Sequence, residues 1–248
     1  MYNQFIYQPI LSSLIWLYHG LGDNLGFAII VLTLLIRGVL FPFALPSLRA
    51  AKKMADLKPE LDALKKKHGH DPKLLQQKQL EFYKNHNINP ASGCLPYLAQ
   101  FVVLIALYQV FMNTLHGNGM GDIQSQFWIW DLKSKDQTYL LPILAGVLQL
   151  VTSLALLPAV ENEPEKRPGT KEQKEDVAEM AASMQQQMVF MMPIMTTVFA
   201  LQFPAGLALY WVVTTAFSLV QQLSISGPGG LKFQLAKITR RFTPRHKN

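Results

Sequence analysis

Between Met180 and Leu231 the chain carries no Asp, Glu, Lys or Arg, and this stretch limits its fold more than any other feature. It is too long for one helix, and Phe203-Pro204-Ala205-Gly206 divides it into two apolar segments. In hydrocarbon, backbone amides and carbonyls must be paired within the protein, so apolar stretches of about 20 residues read as membrane-crossing helices. Two more uncharged stretches run from Leu95 to Gly121 and from Gln137 to Val160, and the apolar run Leu25 to Leu45 holds a single charge, Arg37. Charged residues make up only 16% of the chain, against about 25% in soluble domains. The pattern predicts an all-α polytopic membrane protein with spans near 25–45, 95–115, 139–157, 187–203 and 206–225.

The segment Phe5 to His19 is apolar but short, and it includes Tyr7, Pro9, Trp16 and Tyr18. Such a stretch suits a helix lying in the interface rather than a span, so residues 1–24 are expected to form an interfacial, extracytoplasmic segment. No Lys or Arg precedes Arg37, which argues against a signal peptide. The lone Cys94 leaves no partner for an intramolecular disulfide. Segments 49–92, 158–186 and the tail after 226 together carry twenty Lys and Arg, whereas 116–137 has only Lys133 and Lys135 and 1–24 has none. The positive-inside rule then predicts an outside N-terminus and a cytoplasmic C-terminus.

Arg37 is the main functional candidate. A charge deep in a membrane helix costs about 2.5–3.5 kcal/mol on insertion scales. The other apolar runs contain no carboxylate, so the guanidinium is expected to face water, polar side chains or backbone carbonyls; the plainer alternative is a side chain that snorkels to the headgroups. Polar residues recur at helical spacing in the other spans. Trp211, Thr214, Thr215, Ser218 and Gln222 share a face of the fifth, and Gln149 and Ser153 align in the third beside Gly146. Thr33 lies one turn from Arg37, and Gln100 lies near the cytoplasmic end of the second span. Taken together they predict a hydrophilic groove around Arg37, weighed against ordinary interhelical hydrogen bonding. Met184, Met188, Met191, Met192 and Met195 open the fourth span. Methionine is flexible and polarizable, which suits a slide for varied apolar partners as well as plain core filling.

Cytoplasmic segments 47–89 and 158–186 join the spans, and a basic tail, 226–248, follows them. In the first, Ala50, Met54, Leu57, Leu61 and Leu64 form a coiled-coil seam, Gly69 supplies a stop, and Asp71-Pro72 supplies the next N-cap and first position. This predicts a helical hairpin with Pro59 kinking or restarting its first arm. Its competing roles are a solvated spacer and an arm that meets ribosome, nascent chain or anionic lipid. Glu161 to Lys174 reads as disordered, with helix resuming from Glu175.

No nucleophile–base pair, metal-spaced cluster or phosphate-binding loop is present in the sequence, so neither an enzyme nor a cofactor is expected. One function class these residues allow is a small anion or metabolite transporter with Arg37 as its binding charge.

Several motifs point the same way. Ile36-Arg37 with Pro42 closing the first span, the Lys-rich hairpin, Asn89-Pro90-Ala91-Ser92-Gly93-Cys94-Leu95-Pro96 before Gln100, Pro204-Ala205-Gly206-Leu207 before Leu209-Tyr210-Trp211, and Gln221-Gln222 occur in collinear order. Over about residues 5 to 225 the chain resembles the YidC/Oxa family of membrane protein insertases, in a short form without a large periplasmic domain. The resemblance implies five core helices in a prokaryotic plasma membrane and a groove open to cytoplasm and lipid but closed to the outside. It implies that Arg37 attracts acidic residues of a substrate, with Gln149 and Trp211 near other groove-lining positions. Its implied partners are nascent membrane proteins, membrane lipids, the ribosome and the Sec translocon.

Overall fold

The computed structural model describes residues 3–69, 71–88, 95–115, 123–156, 177–228 and 231–232. A π-helical turn, Asn3–Tyr7, leads into α1 (Gln8–Gly20). It is followed by α2 (Leu25–Asp56), α3 (Lys58–His68), α4 (Pro72–Asn85) and α5 (Leu95–Leu115). Two short antiparallel strands, β1 (Gln126–Phe127) and β2 (Trp130–Asp131), precede α6 (Leu140–Leu156), α7 (Val177–Gln202) and α8 (Ala205–Ser226). Helix α8 is the hub, packing against α2, α5, α6 and α7. Leu14, Ile29, Leu32, Leu107, Val110, Phe111, Leu207 and Tyr210 fill the centre.

The bundle is apolar outside as well as inside. Leu34, Leu35 and Val39 on α2, Phe101 and Ile105 on α5, Ile143 and Val147 on α6, and Ile194 and Val198 on α7 are all exposed. Helices that are hydrophobic all round belong in a large core or in lipid. Among the described residues, α2 and α8 are long and apolar enough to cross a bilayer, while α5, α6 and α7 hold shorter apolar stretches, Gln100–Asn113, Leu140–Ala155 and Val189–Gln202.

One end of the bundle is closed by the segment 123–139, which packs where α2, α6 and α8 begin. The Phe127 ring covers Gly26, and Phe111 and the Leu132 carbonyl cover Gly206, so neither glycine has room for a Cβ. Ala205 N–H donates to the Ser134 carbonyl at 2.7 Å and Gly206 N–H to the Leu132 carbonyl at 3.0 Å, pairing amides that a helix start leaves open. The start of α6 is held by buried Asp136, which accepts from the amides of Thr138 and Leu141, both at 2.8 Å. Gln124 N–H donates to the Tyr18 hydroxyl at 3.0 Å, which ties α1 to the same closure.

The opposite end carries the hairpin, and here the structure departs from the sequence reading. Pro42 does not close the helix. Helix α2 continues through Pro42 and Pro46 to Asp56, so its last turns already form the first part of the hairpin arm. The joint is at Leu57, and Pro59 falls in the first turn of α3, where its missing N–H costs nothing. The seam residues Ala50, Met54, Leu57, Leu61 and Leu64 are all half-buried, and Leu75 of α4 is buried. Asp71 caps α4 by accepting from the amides of Lys73 and Leu74. Helix α3 ends at His68 with Gly69 as its C-cap, the stop the sequence suggested, although Gly69 keeps right-handed helical backbone. The end of α4 is tied back to α2, with Lys53 Nζ donating to the His86 carbonyl at 2.6 Å. Lys52 Nζ donates to the Ile225 carbonyl in the last turn of α8 at 3.1 Å, a favourable place for a cation. The loop expected to be disordered, Glu161 to Lys174, lies outside the described residues, as does the tail from Phe233.

Candidate functional groove

Arg37 sits midway along α2, half-buried, on a helix that must pass through the bundle. Its guanidinium Nη2 donates to Gln100 Oε1 of α5 at 2.6 Å. The amide end of the same glutamine, Nε2, donates to the Tyr210 hydroxyl of α8 at 2.7 Å. A single glutamine therefore bridges three helices. It presents its acceptor to the cation and its donor to a tyrosine that is 2% exposed. The guanidinium is a planar fork of donors, the geometry that pairs with carboxylates.

The remaining polar residues divide into two groups. Trp211, Ser218 and Gln149 are half-buried, whereas Thr33, Ser153, Thr214 and Thr215 are buried. Thr33 Oγ1 donates to the Ile29 carbonyl at 2.6 Å, Thr215 Oγ1 to the Trp211 carbonyl at 2.9 Å, and Ser218 Oγ to the Thr214 carbonyl at 2.9 Å. These hydroxyls are satisfied four residues back on their own helices, and of the three only Ser218 is half-buried rather than buried. The structure thus brings Arg37 and Gln100 into direct contact, whereas the threonine and serine hydroxyls named above bond within their own helices. Tyr210 is the partner that sequence reasoning passed over. The available signal was its helical spacing to Thr214 and Gln221, which puts it on the stripe that the sequence began at Trp211.

On α7, Met191 and Met195 are exposed and Met192 is half-buried, while the side chains of Met184 and Met188 lie outside the described ones. Phe190, Ile194, Val198 and Phe199 are exposed on the same helix. The methionines therefore belong to a broad apolar face that lipid or an apolar helix could cover. Gly146 of α6 abuts Thr197 Oγ1 of α7, and Thr197 donates to the Pro193 carbonyl at 3.0 Å. Among the described residues no cluster of His, Cys, Asp and Glu could hold a metal ion.

A relative from Ectopseudomonas mendocina, named membrane protein insertase YidC, is 37% identical over 222 residues, covering 90% of this chain and 34% of the relative. A relative of the same name from Aeromonas hydrophila is 38% identical over 221 residues, covering 89% of this chain and 36% of its own length. The chain spans about a third of the length of these curated relatives. A solved structure described as an active YidC insertase with the first transmembrane domain resolved superposes with a TM-score of 0.64 at 24% identity, over 89% of this chain and 46% of that one. That is a likeness of fold. The model of the 60Kd inner membrane protein family matches residues 16–228, and with this match across most of its length the chain belongs to that family.

Proposed function

We propose that the chain is a membrane protein insertase and chaperone that captures hydrophobic nascent chains in a positively charged groove and releases them into lipid. The observation that carries this reading is the Arg37–Gln100–Tyr210 bridge, a held cation inside an apolar bundle whose far end is closed by the segment 123–139. A closed end disfavours a through-channel, and the relatives' name, membrane protein insertase, favours this class over a small-anion transporter. A polar groove shortens the hydrocarbon that a short translocated segment must cross, and the guanidinium offsets desolvation of an acidic one. The hydrophobic part then leaves along the α7 face bearing Met191 and Met195, driven by burial of apolar surface in lipid. No covalent chemistry is asked of the protein.

In this reading α2, α5, α6, α7 and α8 are five spans, and the basic residues set the N-terminus outside and the C-terminus in the cytoplasm of an inner cell membrane. The groove is lined by Arg37, Thr33, Gln100, Gln149, Ser153, Trp211, Thr214, Thr215 and Ser218, with Met188 and Met192 completing the slide. The ribosome and the Sec translocon are the partners to seek at the hairpin. The test compares Arg37→Ala and Arg37→Lys on substrates whose translocated segments are acidic or neutral. Arg37→Ala should impair the acidic set more, and Arg37→Lys should retain much of the activity because the charge persists without the fork. Equal loss on both sets would remove the electrostatic part of the proposal.

A further inference from the structure

The turn between β1 and β2 places two large apolar residues, Trp128 and Ile129, at the tip of a two-residue loop. Trp128 is 76% exposed and Ile129 63%. Trp128 also has φ +53°, the left-handed region in which bulky side chains are rare and where glycine, asparagine or aspartate serves a tight hairpin better. The turn itself therefore does not call for tryptophan. The ring stacks on Phe127 at 5.2 Å between centroids and lies near Trp130 at 6.4 Å. Phe127 in turn meets Phe27 of α2 edge to face at 5.4 Å. An aromatic run thus extends from the apolar flank of α2, where Phe27, Leu34 and Leu35 are exposed, out to the tip. The neighbouring exposed residues Tyr139, Leu140 and Ile143 continue the same level onto α6.

We infer that the β1–β2 tip is a membrane anchor, with Trp128 and Ile129 seated in the headgroup–acyl boundary at the end where α2, α6 and α8 begin. Three observations select lipid as the occupant. The tip is continuous with the faces that the bundle turns to hydrocarbon. The exposed side chains pair a fully apolar residue with an indole whose N–H still needs water or a headgroup, the combination favoured at membrane interfaces. The strands behind the tip carry Gln126 and Asp131, both exposed, which keeps the hairpin from sinking deeper. The anchor holds the closure of the groove at a fixed depth. It rests on the bundle lying in a bilayer and not on what the groove does, so lipid contact and insertion activity are read separately.

The test uses the full chain with Trp128 as sole tryptophan (Trp16→Phe, Trp130→Phe, Trp211→Phe), reconstituted in vesicles of brominated phosphatidylcholine. The inference expects blue-shifted emission, quenched most by lipids brominated close to the headgroup and little by aqueous iodide. As a second measurement, Trp128→Cys in a Cys94→Ser background carries a polarity-sensitive fluorophore, whose emission should shift to the blue on moving from detergent to vesicles. Emission that iodide quenches freely and brominated lipid does not would overturn the anchor and leave the tip as a surface for a protein. An unshifted fluorophore would do the same.

Discussion

Replacing Gln100 by leucine keeps the volume of the side chain and deletes both ends of the bridge. The Arg37 Nη2–Gln100 Oε1 bond at 2.6 Å is charge-assisted, a class worth about 1.5–3 kcal/mol. The Gln100 Nε2–Tyr210 Oη bond at 2.7 Å is neutral, worth about 0.5–1.5 kcal/mol. Water recovers part of the first because Arg37 is half-buried, but little of the second because Tyr210 is 2% exposed. The net cost of Gln100→Leu should be about 2 kcal/mol, or roughly 4–8 °C in the unfolding midpoint for a domain of this size. Thermal unfolding of the purified protein in detergent measures it. The diagnostic quantity is the coupling with Tyr210→Phe. If the bridge exists, removing the tyrosine hydroxyl should cost less once Gln100 is gone, with a coupling on the order of 1 kcal/mol, above the ~0.3–0.5 kcal/mol scatter of independent sites. Additive losses would refute the bridge whatever their size. Insertion of acidic segments should fall in Gln100→Leu, but less than in Arg37→Ala, because the cation stays while its position loosens.

Gly146→Ala would drive a methyl into Thr197 Oγ1, costing about 1–3 kcal/mol, and Thr197→Ala on the same chain should restore most of the unfolding midpoint. Ser125 Oγ donates to Asp131 at 2.6 Å and holds that carboxyl below the usual carboxylate range, with the Lys133 amide and charge and the Ser134 hydroxyl adding to it. Its folded pKa is thus below its unfolded one, so its stabilisation is complete above the ordinary carboxylate range and is lost as pH falls through the folded value. Asp131→Asn should flatten the acid-side decline of the unfolding midpoint, and an unchanged decline would refute that assignment. Removing one heptad from each arm of the hairpin keeps the seam in register, so the bundle should fold with an unaltered midpoint while insertion falls; full activity would reduce the hairpin to a spacer.

Helix positions were legible wherever apolar runs met a strong boundary. The apolar run at 95–115 is helical as α5, and the Phe203-Pro204 break divides α7 from α8 as the proline rule requires. Asp71-Pro72 starts α4 because cap and first-turn chemistry are local. The misreading at Pro42 has a physical cause. Proline removes one amide and crowds one carbonyl, which ends a helix in water, but a helix packed on neighbours in a bundle keeps its path because ending it would expose more backbone. The partner of Arg37 was half legible. Composition marked Gln100 as polar in an apolar run, but only the tertiary packing of α5 against α8 makes its amide meet Tyr210. The closure by the segment 123–139 was not read at all, since the bonds that seat it on α8 run from backbone to backbone, and its side-chain bonds from Asp136 and Tyr18 depend on tertiary placement that spacing does not show.

The continuity of α2 changes how the hairpin and the groove are related. Had the helix ended at Pro42, the hairpin would hinge close to Arg37, and its motion would carry the cation with it. Instead Arg37 and Lys52 share one helix, about 22 Å apart at 1.5 Å per residue. Lys52 is tied to the last turn of α8 and Lys53 to the end of α4. The first break in the helix after both lysines is Leu57, and α4 stays tied to α2 across it through Lys53 and His86. A bend at Leu57 would have to release the Lys53–His86 bond, and it would leave the Arg37–Gln100–Tyr210 bridge on the bundle side of Lys52. The Arg37 bridge thus lies between the end that the segment 123–139 covers and the end that Lys52 braces against α8, and the hairpin joint at Leu57 falls beyond both.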